Sequence, residues 1–155
     1  MLRFFDTEKS ITIDQIQKIE RLIGLKFPRQ YMDHLLMYNG GRCEPNIFSF
    51  IEDEESTTSC VDWFLAVYDG EYDNLVKYLH ILKIDQKRLP DRIIPIAHDP
   101  VGNFICISCA TEDEGYIYFW DHEKEGEYGE MSYSNLILVN RSLNEFLSSL
   151  SEDEF

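Results

Sequence analysis

The stretch RIIPIAHDPVGNFICISCATEDEGYIYFW, residues 92–120, decides the fold of this chain. It contains three short runs rich in the β-branched and aromatic residues that favour strands, at 93–97, 103–109 and 116–120. The connections between them, Asp99 to Gly102 and Thr111 to Gly115, are too short to contain a crossover helix. The three runs are therefore predicted to be antiparallel neighbours in a meander sheet.

Helical patterns lie on both sides of these strands in the sequence. Thr12 and Gln15 have the spacing of a capping box, and apolar residues then recur at helical intervals until Gly24. Four helices are predicted, at 12–23, 28–38, 71–82 and from Ser142 onwards. Two further strands are predicted at 47–51 and 136–139, and a loop is predicted at 52–55. The order predicts an α+β fold, in which an N-terminal helix pair, a middle helix and a C-terminal helix pack on a mostly antiparallel meander sheet.

The length and composition are those of one folded domain. At 155 residues the chain is long enough to bury a core without disulfides or structural metal. Hydrophobic residues make up 44% of it and aromatic residues 14%, which excludes a disordered acidic tail. We predict a single domain over 1–155, with its core between 13 and 150 and a short acidic tail at 151–155.

The N-terminal residues lack the apolar run of a secretory signal, and no stretch reaches the ~20 apolar residues that span a bilayer. A cytoplasmic location is the expectation from this pattern. The four cysteines, at positions 43, 60, 106 and 109, show no disulfide framework, and a reducing compartment would keep them as thiols.

The net charge of −15 is distributed unevenly along the chain. Residues 43–76 contain nine acids and no Lys or Arg, and residues 93–155 contain 13 acids against two basic residues. Such a field repels nucleic acid and anionic membranes and accelerates the encounter with basic proteins. The alternative interpretation is a solvated surface that keeps the protein soluble.

Four segments resemble, in type and order, motifs of the SUKH superfamily: Leu25-Lys-Phe-Pro28 with Tyr38-Asn-Gly-Gly41, Arg92-Ile-Ile-Pro-Ile-Ala97 with Gly102-Asn103, the aromatic strand and turn Tyr116-Ile-Tyr-Phe-Trp-Asp-His-Glu123, and the helix Ser142-Leu-Asn-Glu-Phe-Leu147. The resemblance covers most of the chain, from about 13 to 150.

This resemblance implies a protein that binds another protein and is not an enzyme. The superfamily contains bacterial immunity proteins that neutralise toxins, often nucleases, and yeast regulators of cell-wall glucan synthesis. A charge of −15 suits a basic toxin, whose groove attracts phosphates. We therefore expect an immunity protein that needs no cofactor or metal and occludes a cognate toxin, with a nuclease domain as the natural candidate. An interaction or scaffold module without a toxin partner is the alternative, and the sequence leaves the oligomeric state open.

The expected partner surface combines acidic residues with aromatic anchors, because interface energy concentrates in aromatic side chains ringed by polar groups. We assign it to the acidic stretches 43–76 and 111–130. The predicted contact residues are Glu52, Asp53, Glu54, Glu55, Asp62, Trp63, Asp69, Tyr72, Glu112, Asp113, Glu114, Trp120, Asp121, His122 and Glu123. Tyr68 lies within the same aromatic region. Trp63 and Phe64 have a second interpretation, as core residues beneath a long loop.

Two patterns have a chemical interpretation. Cys106 and Cys109 have the C-x-x-C spacing of a zinc or redox site, but they fall on opposite faces of the predicted strand, so their sulfurs point apart. The pairs His98-Asp99 and Asp121-His122 place an imidazole beside a carboxylate, as a hydrolase requires, although turn formation explains both. The sequence has no G-x-S-x-G elbow, phosphate-binding glycine loop or H-E-x-x-H motif.

Overall fold

A computed structural model describes residues 2–124 and 135–152. The strands are Arg3–Phe5 (β1), Arg42–Glu44 (β2), Ile47–Glu52 (β3), Glu55–Cys60 (β4), Trp63–Phe64 (β5), Ile93–His98 (β6), Phe104–Ser108 (β7), Ile117–Trp120 (β8) and Leu136–Asn140 (β9). The helices are Ile13–Ile23 (α1), Arg29–Met37 (α2), Leu75–Leu79 (α3) and Leu143–Ser149 (α4), with a π-helix at His80–Asp85 and a 3-10 helix at His122–Lys124. None of the helices in this part of the chain combines the length and the apolar character that a membrane span needs.

The α+β fold and its antiparallel meander are confirmed. Strands β5 to β9 form one sheet in the order β5-β6-β7-β8-β9. His98 pairs with both Trp63 and Phe104, and Phe104 pairs with Trp120. These residues form one end of the sheet, which we call the His98 end, and the opposite end, where β7 finishes at Ser108, is the Ser108 end. Loops that leave the two ends lie a strand's length apart, roughly 15 Å.

Both faces of the central strands β6 and β7 are buried, which explains their continuous apolar runs. On one face, Ile105 and Ile107 belong to the main hydrophobic cluster, to which α1, α2, α4 and β3 also contribute. On the other face, Phe104 and Cys106 pack with Trp120 and with residues of the π-helix and the segment after it. The central strands therefore lie between two layers.

Strands β3 and β4 form a hairpin where the sequence predicted one strand and a loop at 52–55. Glu52 and Glu55 pair with each other across the hairpin, so that only Asp53 and Glu54 form the turn. Both turn residues have positive φ, 51° and 66°, as a two-residue hairpin turn that matches the strand twist requires. The predicted loop contains this turn, but strand β4 was missed because it is rich in Ser and Thr and lacks the apolar alternation of a strand.

The predicted helices agree with α1, α2 and α4, and the predicted middle helix agrees in part. Thr12 caps α1 with a complete capping box, and Gly24 follows it at φ 71°. Ser142 caps α4 by accepting a backbone hydrogen bond. The helix predicted over 71–82 begins only at α3, where Asn74 is the N-cap, and continues as the π-helix. Its start was predicted too early because the residues before Asn74 form an irregular segment with its own contacts.

The glycine pair after α2 does more than end that helix. Gly41 pairs with Phe64 of β5 and has φ 92°, and a Cβ atom there would lie 2.6 Å from the carbonyl oxygen of Phe5. Gly40 has φ 73°, and its Cβ would lie 2.4 Å from the Cβ of Ala66. Both glycines allow β1 and the edge of the sheet to approach the end of α2 closely. The strands β1, β2 and β5 were not predicted, because two or three residues are too few for a recognisable pattern.

Candidate protein-interaction site

The irregular segment from Val67 to Asn74 is shaped by two buried asparagines. Asn39, just after α2, donates from Nδ2 to the carbonyl oxygens of Val67 and Lys9, and its Oδ1 accepts from the Val67 N–H, each at 2.8 Å. Asn74 donates from Nδ2 to two carbonyl oxygens within the segment, and its Oδ1 caps α3. Because these bonds satisfy backbone groups that no ladder satisfies, they fix the position of the segment.

The same segment is joined to the sheet through His98. The Nε2 atom of His98 lies 2.5 Å from Oδ1 of Asp73, within the segment. Its Nδ1 atom lies 2.8 Å from the carbonyl oxygen of Asp99 and 3.9 Å from Oδ2 of Asp62. Both ring nitrogens therefore face oxygen atoms, and the imidazole connects the segment to the His98 end of the sheet.

A cavity of about 260 Å³ opens beside this connection. It is lined by Asp6, Glu8, Gly41, Trp63, Phe64, Ala66, Tyr68, Tyr72 and Asp73. We call it the acidic cavity, because it combines three carboxylates with three aromatic side chains other than Phe64 and has no Lys or Arg in its lining. Tyr72 is 73% exposed at its mouth. Carboxylates beside aromatic faces are the surroundings that suit a guanidinium or ammonium group.

An interaction of this kind already exists at the edge of the acidic cavity. The Cζ atom of Arg42 lies 5.4 Å from the ring centroid of Trp63, and its Nη2 lies 3.8 Å from Oδ1 of Asp62. Arg42 therefore contacts an aromatic ring and a carboxylate at once. The acidic cavity offers the same two kinds of group, aromatic rings and carboxylates, to a cation from outside the chain.

One wall of the acidic cavity depends on the absence of a side chain at Gly70. A Cβ atom at this position would lie 2.0 Å from Cε2 of the Tyr68 ring. The Tyr68 hydroxyl donates to the carbonyl oxygen of Tyr72, which closes the segment into a tight loop. The aromatic side chains of the wall are thus held by the segment itself.

The next turn at the His98 end is built around the buried carboxylate of Asp99. Its Oδ1 accepts from the N–H groups of Val101 and Asn103, and its Oδ2 accepts from Nδ2 of Asn103 and from Oγ of Ser59. Oδ1 of Asn103 accepts from the N–H of His122 and lies 2.5 Å from its Nδ1. Because the Asn103 oxygen is an acceptor, Nδ1 of His122 is assigned as the protonated nitrogen. These bonds connect the β6–β7 turn to the residues after β8.

In neither His–Asp pair does the imidazole take the neighbouring carboxylate as its partner, because His98 contacts other carboxylates and His122 contacts Asn103. The ring of His98 contacts the carboxylates of Asp73 and Asp62, while the carboxylate of Asp99 organises its own turn. Oδ1 of Asp121 accepts from the N–H of Glu123 at 3.0 Å, which is also a turn contact. Both aspartates therefore act as turn formers, which is the simpler of the two interpretations.

The predicted contact residues divide between the two ends of the sheet. Those at the His98 end are Asp62, Trp63, Asp69, Tyr72, Asp121, His122 and Glu123. Those in the β7–β8 turn at the Ser108 end are Glu112, Asp113 and Glu114. Asp113 is an internal acceptor there, because it accepts from Oγ of Ser108 and from the hydroxyl of Tyr118. Within the described residues, the stretch predicted at 111–130 is therefore two separate surfaces and not one.

The remaining predicted residues have different surroundings. Glu52, Asp53, Glu54 and Glu55 are at the tip of the β3–β4 hairpin, a strand's length, roughly 17 Å, from its base near Asp62. Trp120 is completely buried in the cluster beneath the π-helix, so we leave it out of the interaction surface. Phe64 is a core residue, whereas Trp63 is half-buried and lines the acidic cavity.

Some acidic residues of the predicted surface and of the predicted tail lie outside the described residues. They are Glu125, Glu127 and Glu130 of the stretch 111–130 and Asp153 and Glu154 of the acidic tail. Sequence reasoning, in turn, did not identify Asp6, Glu8 and Asp73 as neighbours of Trp63. Asp6 and Glu8 follow β1, which has no detectable strand pattern, whereas Asp73 precedes an N-cap asparagine and marks the end of the irregular segment. That N-cap pattern is the one local sequence signal that could have located Asp73.

The cysteine pair has the arrangement that the strand pattern predicts. Cys106 packs beneath the π-helix and Cys109 packs against the main cluster, so their sulfurs lie on opposite sides of the sheet. Burial raises the pKa of Cys109 to about 12 and raises that of Cys106 still further above its ordinary value. Both are therefore protonated thiols at neutral pH. Within 2–124 and 135–152, no group of three His, Cys, Asp or Glu side chains is placed to bind a metal ion.

The fold and the site define an α+β domain with a five-stranded meander and an acidic, aromatic surface cavity. The chain belongs to the SMI1 / KNR4 family (SUKH-1), whose family model matches residues 10–149, and the resemblance to the SUKH superfamily is thereby confirmed. The chain is similar to the SPbeta prophage-derived uncharacterized protein YokK of Bacillus subtilis (strain 168). The two are 27% identical over 164 residues, an alignment that covers 92% of this chain and 76% of the relative.

Proposed function

We propose that this protein is an immunity protein that binds a cognate toxin domain and occludes its active site. Membership of the SUKH-1 family and the net charge of −15 support this function. A basic nuclease domain is the partner that suits the charge, because a surface that binds phosphates also attracts carboxylates. We propose binding and not catalysis, because Asp99 and Asp121, the carboxylates of the two His–Asp pairs, serve as turn formers.

The acidic cavity is the observation that carries the proposal. Its volume of about 260 Å³ is large enough for one Arg or Lys side chain of the toxin, with carboxylates around the cation and the exposed ring of Tyr72 beside it. A buried cationic or aromatic anchor surrounded by polar groups is the usual centre of a tight interface. From the acidic cavity, the His98 end extends across three strand spacings, about 14 Å, to the acidic residues after β8. This span suits a partner surface of the usual size, about 800 Å².

Growth rescue is the first test of this function. A toxin domain encoded beside the gene is expressed in a sensitive host, with and without this protein. We expect the protein to restore growth and to be recovered with the toxin in a pull-down. Failure of both contradicts the immunity function and favours the alternative, an interaction module of the same fold without a toxin partner.

Charge reversal should locate the interface at the His98 end. We expect the double variant Glu8→Lys/Asp69→Lys to bind the toxin about 100-fold more weakly, because it places two cations at or beside the acidic cavity. The matched control is Glu112→Lys/Glu114→Lys, which changes the net charge equally at the Ser108 end and should alter Kd by less than about threefold. Isothermal titration calorimetry measures both. Equal losses would show that total charge, and not the acidic cavity, determines the affinity.

The rate of association should depend strongly on salt. If the acidic surface attracts a basic partner, raising the ionic strength from about 0.01 M to about 0.15 M shortens the Debye length from about 30 Å to about 8 Å and slows the encounter. We expect the association rate constant, measured by stopped-flow fluorescence, to fall at least about tenfold while the dissociation rate changes little. A rate independent of salt would indicate a mainly apolar interface.

A further inference from the structure

A groove of opposite character lies between the end of α1 and the π-helix. It has a volume of about 430 Å³, and it borders Arg92, which immediately precedes β6 at the Ser108 end. The acidic cavity is at the His98 end, so the two openings lie a strand's length apart. The groove is therefore a separate surface, and the inference drawn from it does not depend on the proposed function.

The walls of the groove are apolar side chains that the fold leaves accessible. Leu22 near the end of α1 is 44% exposed, and Ile84 in the π-helix opposite is 39% exposed. Leu25 completes the wall on the side of α1. Leu22 and Ile84 are large aliphatic side chains. Because they are exposed on facing walls of the groove, they leave apolar surface that another molecule could cover.

The rim of the groove is positively charged in a protein that is strongly acidic overall. Lys83, Lys87 and Arg92 line it, against the single carboxylate of Asp91. Lys83 is half-buried and donates from Nζ to the carbonyl oxygen of Pro90 at 2.8 Å, which leaves two of its three protons for other acceptors. Lys87 and Arg92 are exposed. The sequence reflects this, since residues 77–92 contain five basic and two acidic residues.

The backbone of one wall is unusual. The π-helix runs for six residues. π-Helical geometry is rare in proteins, and where it does occur it is often part of a functional site. Lys87, just after it, has φ 48°, a conformation that costs a non-glycine residue free energy. Together these features direct Lys83, Ile84 and Lys87 to the same groove. Backbone of higher energy is retained where it positions side chains for binding.

We propose that this groove binds an acidic amphipathic segment of a partner protein. The apolar side chains of the segment lie between Leu22 and Ile84, and its carboxylates pair with Lys87, Arg92 and the free protons of Lys83. The charge of the rim selects an anionic occupant, and the apolar walls select a polypeptide with aliphatic or aromatic side chains. Nucleic acid and anionic membranes are disfavoured, because the surrounding net charge of −15 repels extended polyanions.

Peptide titration tests this inference directly. The probe is a fluorescein-labelled synthetic peptide in which Leu and Phe recur at helical spacing and Glu and Asp occupy positions on the opposite face. One control peptide has Lys in place of every acid, and another has Ser in place of every apolar residue. We expect saturable binding of the first peptide in fluorescence anisotropy and at least about tenfold weaker binding of both controls.

Matched variants place the binding in the groove. Lys87→Gln/Arg92→Gln should weaken the acidic peptide about tenfold, and Leu22→Ser should weaken it to a similar extent. Lys9→Gln/Lys77→Gln removes the same charge from exposed lysines that do not line the groove, and it should change Kd by less than about twofold.

Three outcomes overturn the proposal. The first is the absence of saturable binding, and the second is an equal loss in the two charge variants, which would reflect general attraction. The third is a dimer of the free protein in sedimentation velocity that Lys87→Gln/Arg92→Gln dissociates, because a second copy of the chain would then occupy the groove. Comparable thermal unfolding of all variants confirms that a loss of binding is not a loss of folding.

Discussion

Replacement of Asn39 by alanine is expected to lower the free energy of unfolding by about 4 kcal/mol. The variant removes three hydrogen bonds of 2.8 Å and leaves the N–H and carbonyl of Val67 and the carbonyl of Lys9 without their partner. Each partly buried backbone group left unsatisfied costs about 1–3 kcal/mol. Urea unfolding followed by circular dichroism measures the loss.

A matched asparagine separates this effect from a general cost of asparagine replacement. Asn46 is also partly buried, but its Nδ2 makes one bond, of 3.2 Å, to the carbonyl of Val61. Asn46→Ala should therefore cost about 1 kcal/mol. If Asn39→Ala cost no more than Asn46→Ala, the segment from Val67 to Asn74 would not depend on Asn39. Because this segment forms a wall of the acidic cavity, Asn39→Ala should also weaken partner binding.

The free energy of unfolding is expected to fall by about 3 kcal/mol as the pH decreases from about 6.5 to about 4. The cause is His34, which binds a proton more readily in the unfolded chain than in the folded protein. His34 is buried among aromatic rings, with the ring centroids of Phe4 and Phe64 at 5.1 and 5.3 Å. Burial lowers its pKa from 6.5 to about 4, because the imidazolium would lose its hydration. Nε2 of His34 also has no hydrogen-bond partner among the described residues.

The direction of this change in stability with pH follows from proton linkage. Below pH 6.5 the unfolded chain binds a proton on His34, whereas the folded protein does not until the pH reaches about 4. Protonation therefore favours the unfolded state across this interval, and the contribution of the neutral histidine is complete above pH 6.5. Below about pH 4 both states carry the proton, and this contribution no longer changes.

A phenylalanine at position 34 is the control for this pH dependence. His34→Phe keeps an aromatic ring among Phe4, Tyr38 and Phe64 and removes the titrating group. We expect the variant to lose less stability than the wild type between pH 6.5 and pH 4, by about 3 kcal/mol, in urea titrations at each pH. Parallel curves for the two proteins would contradict a role for His34, since the carboxylates titrate equally in both.

The meander and three of the helices could be predicted because their signals are local. Thr12 and Gly24 mark the ends of α1 within a dozen residues, and Ser142 does the same for the start of α4. The strands β6 and β7 are apolar on both faces, so their composition identified them without any alternation. Family membership followed from the order of these same segments.

The acidic cavity could not be predicted, because its walls meet through contacts between distant parts of the chain. Asp6 and Glu8 line the same cavity as Trp63 because β1 pairs with β2 and because Gly41 allows the close approach to Phe5 and Phe64. No local sequence pattern marks any of these contacts. Charge counted along the chain predicts an acidic surface but not its position, since Glu112 and Glu123 are near in sequence and at opposite ends of the sheet.

The pairing of β1 with β2 has a consequence for the order of folding. Arg3 and Glu44 are 41 positions apart, whereas the β6–β7 and β7–β8 pairs join residues that are close in the chain. Local pairs form early, because less chain entropy is lost in closing their loops. We therefore expect the meander to fold before β1 docks and adds Asp6 and Glu8 to the lining of the acidic cavity. The surface proposed to meet a toxin would be among the last parts of a newly made chain to become complete.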